Sequence, residues 1–336
     1  MKGRLMDTTL NWLLVGTGDI ARKRVAPALA KTKGSRLHAV CDLVGERARD
    51  IANAFDAERV HTDFDEALDD PDVDAVYVAT PVDLHVPMAL KALDAGKHVL
   101  VEKPLGVTGD DAAKAADAES NTDRVTGCAY FRRLYPGYRM IRDMLDAGEF
   151  GKLVLVRMAY FSWFDPKPDD PKYWRVMRKR SGGGPISDMG THMFDVMIGL
   201  FGMPEHVMAT TATLDRDWDV EDSSAMTMIL PGGAPVTASF HWNSKTWVHM
   251  FEVVGTEAKV LWQPYDSGKA VKTVGRDITE IDVPTADNVH MPLVEDFVAA
   301  VREGRKTAAP FSEALKTNRL IDAVYRSAQE KRGVTV

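Results

Sequence analysis

The ten residues WLLVGTGDIA, at positions 12–21, decide how the first part of this chain folds. Four apolar residues predict a buried strand, and a Gly-x-Gly-x-x-Ala pattern then opens a predicted helix over Ile20–Lys31. Glycines at such a turn let a pyrophosphate approach the backbone, and the amides at the start of a helix attract its charge. The pattern therefore predicts a dinucleotide-binding turn formed by Gly16, Thr17, Gly18, Asp19 and Ile20. A tight strand–helix turn without a ligand is the alternative.

Outward from this stretch, short apolar runs alternate with helical patterns as far as about Thr126. This alternation is typical of βαβ units, and the uninterrupted apolar runs indicate parallel strands that are buried on both faces. The predicted strands are Trp12–Val15, Leu37–Cys41, Ala75–Val78, His98–Val101 and Arg124–Thr126, and the further predicted helices are Gly45–Ala54, Pro87–Ala95 and Asp110–Glu119.

The second half of the chain has a different pattern, because several predicted strands follow one another without helices between them. Such a succession indicates a mostly antiparallel sheet. The predicted strands are Leu153–Phe161, Glu205–Thr213, Ser223–Leu230, Pro235–Trp242, Met250–Gly255 and Lys259–Gln263, and the predicted helices are Gly137–Ala147, Ser187–Phe201, Pro292–Glu303 and Ser312–Lys331. We therefore predict an α/β Rossmann-type domain with a parallel sheet over 9–127, and an α+β domain with a large, mostly antiparallel sheet over 128–336.

The composition is that of an acidic globular protein, with 45% hydrophobic residues, 27% charged residues and a net charge of −7. The acidic balance argues against a nucleic-acid partner. Cys41 and Cys128 form no metal-ligand spacing with histidines and no disulfide framework, so we expect no metal and a reducing cytoplasm. The stretch Met1–Asn11 lacks the pattern of a signal peptide, and no apolar run is long enough to cross a membrane.

Asp42 comes directly after the predicted strand Leu37–Cys41. An acid at this position can accept hydrogen bonds from both hydroxyls of the adenosine ribose. Its charge would repel a 2′-phosphate, so we expect NAD as the cofactor. NADP stays open, because Arg47 and Arg49 follow closely.

Two further strands end in polar residues: Thr80 and Pro81 follow one, and Glu102 and Lys103 follow the next. Ligands of open parallel sheets bind at the carboxyl ends of the strands. Lys103 should therefore lie beside the nicotinamide, where an amine can transfer a proton. A surface lysine paired with Glu102 is the alternative.

A second group of proton-handling residues follows the glycine-rich segment 181–185. In a helix from Ser187 onward, Asp188 and His192 are four residues apart and share one face, with Asp195 three residues further on. A carboxylate and an imidazole together can move protons. A capped helix with a half-buried structural histidine is the alternative.

Together these motifs resemble those of the Gfo/Idh/MocA family, the NAD(P)-dependent oxidoreductases that include glucose–fructose oxidoreductase and inositol dehydrogenase, over nearly the full length of the chain. The matching pieces are 16–21, Thr80-Pro81 with His85, 95–99 leading to Glu102-Lys103-Pro104, Arg132-Arg133 with Pro136, the glycine-rich segment, and Asp188-x-Gly190-x-His192-x-x-Asp195. One segment departs from the pattern: members often have Asn-x-Arg-Phe before the central proline, where Phe131, Arg133 and Leu134 stand here. We therefore expect no usual cofactor contact from this segment.

The resemblance implies a role for each matching residue. Lys103 is similar in position to the family's catalytic lysine, His192 to its proton-transfer histidine, and Asp188 to the acid that orients substrate hydroxyls or the histidine. Trp174-Arg175 resembles a pair that some sugar-reducing members place near the nicotinamide carboxamide, although the indole could equally be packing. The implied cofactor-binding residues are thus Gly16, Thr17, Gly18, Asp19, Ile20, Asp42, Thr80, Pro81, His85, Glu102, Lys103, Trp174 and Arg175.

The implied function is hydride transfer between the nicotinamide and a carbon of a sugar or cyclitol, with Lys103 and His192 handling the proton. Lys103, Asp188 and His192 would contact the substrate, and Trp163 and Tyr173 of the loop 163–185 are candidate aromatic walls. The second domain of the family often forms the subunit interface, which implies a homodimer or homotetramer.

Two other functions stay open. Some relatives are NAD-dependent glycosidases, which oxidise a sugar transiently, eliminate the glycosidic bond and return the hydride. A non-catalytic nucleotide sensor of this fold would bind the cofactor without turnover, but the intact lysine, aspartate and histidine disfavour it.

Overall fold

The computed structural model describes residues 9–336. The stretch Met1–Asn11, in which we expect no signal peptide, lies mostly outside the described residues. Two compact units are present: one runs up to Phe131 and includes Ala286–Leu315, and the other comprises Arg132–Thr285 and Lys316–Val336. The division into domains 9–127 and 128–336 stays a prediction. That prediction assigns residues 286–315 to the second domain, whereas these residues belong to the first unit. No pattern in the sequence indicates this.

The first unit contains a six-stranded sheet in the order β3-β2-β1-β4-β5-β6, and its neighbouring strands are all parallel. This confirms the predicted parallel Rossmann sheet. The strands are β1 (Leu10–Val15), β2 (Ser35–Cys41), β3 (Arg59–His61), β4 (Ala75–Val78), β5 (His98–Val101) and β6 (Thr126–Cys128).

The second unit contains a nine-stranded sheet in the order β14-β13-β12-β11-β7-β10-β9-β8-β15. Its pairs are antiparallel except for β7 and β10. The mostly antiparallel sheet is thus confirmed. The strands are β7 (Leu153–Trp163), β8 (His206–Ala212), β9 (Ser223–Ile229), β10 (Pro235–His241), β11 (Asn243–Gly255), β12 (Ala258–Trp262), β13 (Lys269–Val274), β14 (Asp277–Asp282) and β15 (Val334–Thr335).

Ten α-helices connect or cover the strands in the described part of the chain. They are α1 (Ala26–Lys31), α2 (Gly45–Ala54), α3 (Phe64–Leu68), α4 (His85–Asp94), α5 (Gly109–Ser120), α6 (Pro136–Asp146), α7 (Arg178–Ser181), α8 (Thr191–Phe201), α9 (Met291–Glu303) and α10 (Phe311–Glu330). Among the residues described, none of these helices combines the length and the apolar character that a membrane crossing needs.

The helix predicted over Ile20–Lys31 forms in two parts, a π-helical turn over Ala21–Val25 followed by α1. Pro27 lies in the first turn of α1. Proline has no N–H, so the α-helical hydrogen bond to the carbonyl four residues earlier cannot form, and a wider turn precedes it.

The apolar runs of the first unit form its core, as their composition predicts. Trp12, Leu13 and Leu14 of β1 are fully buried. The returning segment contributes Phe297, whose ring centroid lies 5.0 Å from that of Trp12. The first unit therefore has a core that is complete only with residues from beyond the second sheet.

Candidate functional site

The glycine turn after β1 has two glycines with different surroundings. Gly16 has a φ of +89°, and a Cβ atom there would lie 2.8 Å from the carbonyl oxygen of Ala79. Gly18 has no heavy atom within 4 Å of the place where its Cβ would be. The fold thus requires a glycine at position 16, whereas the space beside Gly18 is open. An open space at the start of a helix is what a pyrophosphate needs to approach the backbone.

Asp42 lies at the end of β2, where it holds the glycine turn. Its Oδ2 accepts hydrogen bonds from the backbone N–H (2.9 Å) and the hydroxyl (2.7 Å) of Thr17, and its Oδ1 accepts from the N–H of Val44 (2.8 Å). A carboxylate has about four acceptor positions, so these contacts leave capacity for a ribose hydroxyl. The structure gives Asp42 a role in shaping the turn that the sequence did not indicate.

Lys103 is the second residue after β5, and its peptide bond to Pro104 is cis. In the parallel sheet β5 neighbours β4, which neighbours β1. Lys103 therefore lies at the same edge of the sheet as the glycine turn, two strands away, and Thr80 and Pro81 follow the end of the strand between them. This is the edge at which ligands of open parallel sheets bind.

Glu102 is buried, and its carboxylate is surrounded by protein groups. Oε1 accepts a hydrogen bond from the Tyr77 hydroxyl (2.8 Å) and lies 3.0 Å from Nε2 of His290, while Oε2 accepts from the backbone N–H of Lys103 (3.3 Å). Burial opposes ionisation, but the bonds from His290 and Tyr77 and the charge of Lys103 outweigh it and hold the pKa of Glu102 below its usual value. Glu102, which we expected at the cofactor, is thus an ionised group beneath Lys103.

His85 joins the segments that follow β4 and β5. Its Nδ1 lies 2.8 Å from the carbonyl oxygen of Pro104, and its Nε2 lies 2.9 Å from that of Thr80. Burial lowers the pKa of the imidazole, and a neutral ring can donate to only one of the two carbonyls at a time. Both nitrogens of this predicted cofactor-binding residue therefore face protein carbonyls.

The second unit brings Arg175 and Asp188 together. Nη1 of Arg175 lies 3.2 and 3.1 Å from the two carboxylate oxygens of Asp188. Asp188 lies in a π-helical turn, Ile186–Gly190, and His192 lies one turn later in α8, where it is buried. The predicted helix over 187–201 thus forms, but its first turn is π-helical. Arg175, which we expected at the nicotinamide, contacts the proposed substrate-orienting acid.

The glycine-rich segment before Asp188 is tightly packed. A Cβ on Gly183 would lie 1.8 Å from the hydroxyl oxygen of Tyr325, and one on Gly184 would lie 2.0 Å from the carbonyl oxygen of Glu221. Glycine is therefore needed at both positions, because Tyr325 and Glu221 occupy the space that a side chain would take.

Glu221 fixes the start of the helix that carries Asp188 and His192. Its buried carboxylate accepts hydrogen bonds from the backbone N–H groups of Gly184 (3.1 Å) and Ile186 (3.2 Å) and from the Tyr325 hydroxyl (3.0 Å). Burial, only partly offset by these bonds, raises the pKa of Glu221. Since the first N–H groups of a helix have no partner within it, this carboxylate caps the turn from a distant strand end.

The three aromatic candidates of the loop 163–185 have different surroundings. Trp163 is 45% exposed, and the cationic groups of Arg216 and Lys245 lie 4.2 and 4.8 Å from its ring. Tyr173 is partly buried against a small apolar cluster that contains Trp242. The ring of Trp174 lies 5.5 Å from the guanidinium of Arg175. Trp163 thus has a partly exposed ring beside two cationic groups, and Tyr173 is partly covered by its neighbours.

Asp195, the last acid of the predicted cluster, is fully buried and pairs with Arg133, whose Nε lies 2.9 Å from Oδ2. Arg132 likewise pairs with Asp266 through two hydrogen bonds of 2.8 and 2.6 Å. These two ion pairs, of which Arg133–Asp195 is buried, anchor the segment that departs from the family pattern. They are consistent with a structural role for it.

Sequence reasoning missed four residues around these groups: Tyr160, Glu221, His290 and Tyr325. Tyr160 lies on β7, and its pKa is raised first by burial and also by the charge of Asp188. Tyr160 lies in an apolar stretch of sequence, which does not indicate that its side chain is near Asp188. The others are brought in from distant parts of the chain, so no local motif marks them.

One further group of titratable side chains lies away from these residues. His38, Asp70 and Asp72 place possible metal-ligating atoms within 4.8 Å of one another, although we expected no metal site. Nε2 of His38 lies 3.2 Å from Asp70, which also accepts the N–H of Asp72 and whose carbonyl accepts from Lys97. The contacts among these residues account for the cluster as a capped turn.

Comparison with known proteins places both parts of the chain. Residues 10–130 match the profile described as "Oxidoreductase family, NAD-binding Rossmann fold", and residues 138–261 match the GFO/IDH/MocA C-terminal domain. The chain is 32% identical to 1,5-anhydro-D-fructose reductase of Ensifer adhaerens over 267 residues, 78% of each protein. It is 28% identical to inositol 2-dehydrogenase of Rhizobium meliloti (strain 1021), over 98% of this chain and 99% of that protein.

A solved structure shows the same architecture. Aldose–aldose oxidoreductase from Caulobacter crescentus, complexed with glycerol, superposes with a TM-score of 0.89 and 27% identity, over 98% of this chain and 100% of that one. The two profile matches together cover most of the chain. The glycine turn follows the first strand of the parallel sheet, and the first unit is an NAD-binding Rossmann domain. The chain therefore belongs to the Gfo/Idh/MocA family of NAD(P)-dependent oxidoreductases.

Proposed function

We propose that this enzyme transfers hydride between C4 of the nicotinamide of NAD(P) and a hydroxyl-bearing carbon of a sugar or cyclitol. The observation that carries the proposal is Lys103, which extends from the carboxyl end of β5 at the same sheet edge as the glycine turn. An amine at this edge is placed to exchange a proton with a group bound beside the cofactor.

The residues of the first unit fit the cofactor. The open space beside Gly18 would receive the pyrophosphate, and Asp42 would accept from the adenosine ribose. Thr80 and Pro81 would line the same edge, with His85 and Glu102 supporting it from beneath. Bound NAD(P) would supply the hydride acceptor or donor. The negative charge of Asp42 favours NAD over NADP.

The proposed chemistry divides the work among three residues. As hydride leaves the substrate carbon, the hydroxyl on that carbon loses its proton and becomes a carbonyl, and Lys103 and His192 take up this proton. Asp188 holds a neighbouring hydroxyl, and its pairing with Arg175 fixes the direction of its oxygens. In reduction the same groups return the proton.

The substrate class follows from the relatives and from the aromatic surface of the second unit. One relative is named for an anhydrosugar, another for inositol, and the similar solved structure for aldoses. Trp163 offers an exposed ring, and aromatic rings pack well against the C–H faces of sugars. We propose that Trp163, with Tyr173 and Trp174 nearby in sequence, forms a wall of the substrate site.

The enzyme is proposed to form a homodimer or homotetramer through the open face of the nine-stranded sheet. Exposed and buried residues alternate along β8, β9 and β10, so one face is packed and the other is open. The open face contains small or apolar side chains, among them Met208, Ala225 and Thr227. Exposed apolar sheet faces of this kind mark protein interfaces.

The test is a panel of inositols, aldoses and 1,5-anhydro-D-fructose with NAD(H) and NADP(H), followed by nicotinamide absorbance and product chromatography, with simple glycosides included. Reduced or oxidised cofactor that accumulates with one class supports the proposal and names the substrate class. Glycoside cleavage at constant absorbance would instead show redox-assisted hydrolysis.

Lys103→Met tests the assigned role. Turnover should fall by about 100- to 10,000-fold, the usual contribution of proton transfer by a positioned side chain, while NADH affinity changes little. Turnover at the wild-type rate in this variant would remove Lys103 from the mechanism.

A further inference from the structure

Arg175 and Asp188 form an ion pair that uses only part of the guanidinium. Nη1 of Arg175 lies 3.2 and 3.1 Å from the two carboxylate oxygens of Asp188, so one nitrogen serves both oxygens. In a fork-like pair of arginine and carboxylate, two nitrogens each bind one oxygen. A guanidinium carries N–H donors on all three of its nitrogens. The arrangement in this pair therefore leaves the donors of Nε and Nη2 unused.

The two remaining nitrogens of Arg175 have different surroundings. Neither has a hydrogen-bond partner among the described residues, and Nε is buried. Nη2 is not buried, and the Arg175 side chain is 32% exposed beside an Asp188 side chain that is 22% exposed. Nη2 is therefore a charged donor that a bound molecule can reach next to the carboxylate.

Both side chains are carried by backbone segments that pack within the second unit. Arg175 precedes Val176, which is buried in an apolar cluster of that unit. Asp188 lies two residues before Gly190, where a Cβ atom would be 3.3 Å from the Phe240 ring. The pair is thus held in place before a ligand binds, which lowers the entropy cost of binding.

The chemistry of the pair favours an uncharged ligand with two neighbouring hydroxyl groups. The charges of Arg175 and Asp188 cancel, so an anionic group that is attracted by the guanidinium is repelled by the carboxylate. A hydroxyl group both donates and accepts hydrogen bonds. One hydroxyl can therefore donate to Asp188, while the hydroxyl on the next carbon accepts from Nη2 of Arg175.

We infer that Arg175 is a substrate-binding residue that determines specificity: with Asp188 it recognises two hydroxyls on adjacent carbons of an uncharged sugar or cyclitol. This assignment rests on the proposed function and goes beyond it, because it specifies a hydroxyl pattern and gives Arg175 a contact of its own. It places Arg175 at the substrate rather than at the nicotinamide carboxamide.

The test measures polyol binding without turnover. The probes are 1,5-anhydro-D-glucitol, its 2-, 3- and 4-deoxy derivatives, and its 6-carboxylic acid. They have no carbonyl to reduce, and saturating NADH prevents their oxidation, so isothermal titration calorimetry gives dissociation constants at equilibrium. Loss of a hydroxyl that binds a charged group should raise the dissociation constant by about tenfold to 100-fold.

Variants of the two residues show which hydroxyl each one contacts. Arg175→Lys keeps a cation opposite Asp188 but loses the second donor arm. One deoxy derivative should bind the wild type about tenfold to 100-fold more weakly than the parent polyol does. In Arg175→Lys the same two ligands should differ by less than about threefold. Asp188→Asn should cancel the difference for the derivative that lacks the hydroxyl on the adjacent carbon.

Arg305→Lys is the matched control. Nη1 of Arg305 also binds a carboxylate oxygen, that of Asp296 at 2.9 Å, but in the first unit. All ratios of dissociation constants in this variant should equal those of the wild type. A change in them would show that replacing any paired arginine disturbs binding, and the effect of Arg175→Lys would then not be specific.

Each outcome has a distinct meaning. Cancellation by Arg175→Lys and by Asp188→Asn at adjacent carbons supports the assignment. Cancellation at carbons that are not adjacent overturns it, as do ratios that Arg175→Lys leaves unchanged, absence of binding by the parent polyol, or tighter binding of the acid that Arg175→Lys removes. If Asp188→Asn does not fold, the ratios in Arg175→Lys decide alone. Polyols that bind in the expected pattern but never reduce NAD(P) would contradict only the proposed function.

Discussion

Gly16 and Gly18 show at the scale of single residues how a motif divides between folding and binding. Both belong to the same Gly-x-Gly pattern, yet only Gly16 is required by the protein itself, through its positive φ and its contact with Ala79. Gly18 faces open space. The sequence alone cannot separate these two reasons for glycine, because the motif is the same in both cases.

The matched variants Gly16→Ala and Gly18→Ala should therefore fail in different ways. Gly16→Ala should lower the free energy of unfolding by about 1–3 kcal/mol, because of backbone strain and the clash with Ala79. Gly18→Ala should fold normally but weaken NADH binding by about tenfold. Thermal unfolding and NADH fluorescence titration measure the two effects. Equal losses of stability in both variants would contradict this division.

Asp42 is expected to set the cofactor preference as well as the shape of the turn. Replacing Asp42 with Ser keeps a short acceptor for Thr17 but removes the charge that repels a 2′-phosphate. The ratio of NADPH to NADH dissociation constants should then fall by about tenfold. Asp63→Ser is the control, since Asp63 also accepts a backbone N–H, that of Glu66, at the start of α3. An unchanged ratio in Asp42→Ser would assign the carboxylate to the turn alone.

At the scale of elements, strands with long apolar runs were predictable, whereas several short or exposed strands were not. β1, β4 and β5 appear where the runs predicted them, because both faces of these strands are buried. β3 and β14 were missed, since their residues are largely exposed and carry charges. β6 begins at Thr126, two residues later than predicted, because Gly127 and Cys128 pair with β5. A hydrophobic pattern in the sequence predicts only strands that are buried. These strands are held in the sheet mainly by backbone hydrogen bonds to the neighbouring strand, which the pattern does not show.

The candidate site was predictable to the extent that it lies in local motifs. Lys103, Asp188 and His192 each follow or begin an element that the pattern marks. Glu221 and His290, in contrast, act on these segments from distant parts of the sequence. Their roles arise from tertiary packing, which a linear pattern does not encode.

The helix that carries Asp188 and His192 should depend on the hydroxyl of Tyr325. Tyr325→Phe removes one donor from the buried Glu221 carboxylate and should cost about 1–2 kcal/mol of unfolding free energy. The helix start should shift, and turnover should fall by about tenfold while NADH binding is retained. Tyr138→Phe is the control, because its hydroxyl contacts Arg142 instead. Wild-type turnover in Tyr325→Phe would limit Glu221 to a structural role.

At the scale of the whole molecule, two histidines with lowered pKa values should make the fold sensitive to acid. Burial lowers the pKa of His98 in the first unit and of His249 in the second to about 4. His98 Nδ1 also accepts the N–H of Val125, which requires an unprotonated nitrogen. Both histidines bind protons in the unfolded chain near their ordinary pKa of 6.5. Stability should therefore be full above about pH 6.5 and be lost as the pH falls toward 4.

Each histidine should contribute a slope of roughly 1.4 kcal/mol per pH unit within this window. Urea unfolding between pH 7 and 4 measures the slope, and His249→Gln should reduce it. The exposed His206 provides the control variant, His206→Gln. A slope that His249→Gln leaves intact would exclude His249 as a source of the acid sensitivity.

The proposed oligomer also belongs to this scale. Thr227→Arg introduces a charge on the open face of the nine-stranded sheet and should reduce the mass measured by light scattering to that of one chain. Thr279→Arg, on the exposed edge strand β14, should leave the mass unchanged. A mass that neither variant changes would place any interface elsewhere.

The return of residues 286–315 to the first unit has a consequence for synthesis. The ribosome releases the glycine turn and the parallel strands first, but the residues that complete their core, such as Phe297, emerge only after the whole antiparallel sheet. The nucleotide-binding half must therefore wait, incomplete, while the later half of the polypeptide is made. A truncated or prematurely released chain would lack His290 and would expose the apolar surface around Trp12. Exposed apolar surface of this kind makes an incomplete chain prone to aggregation, so we expect only full-length chains to reach the cofactor-binding state.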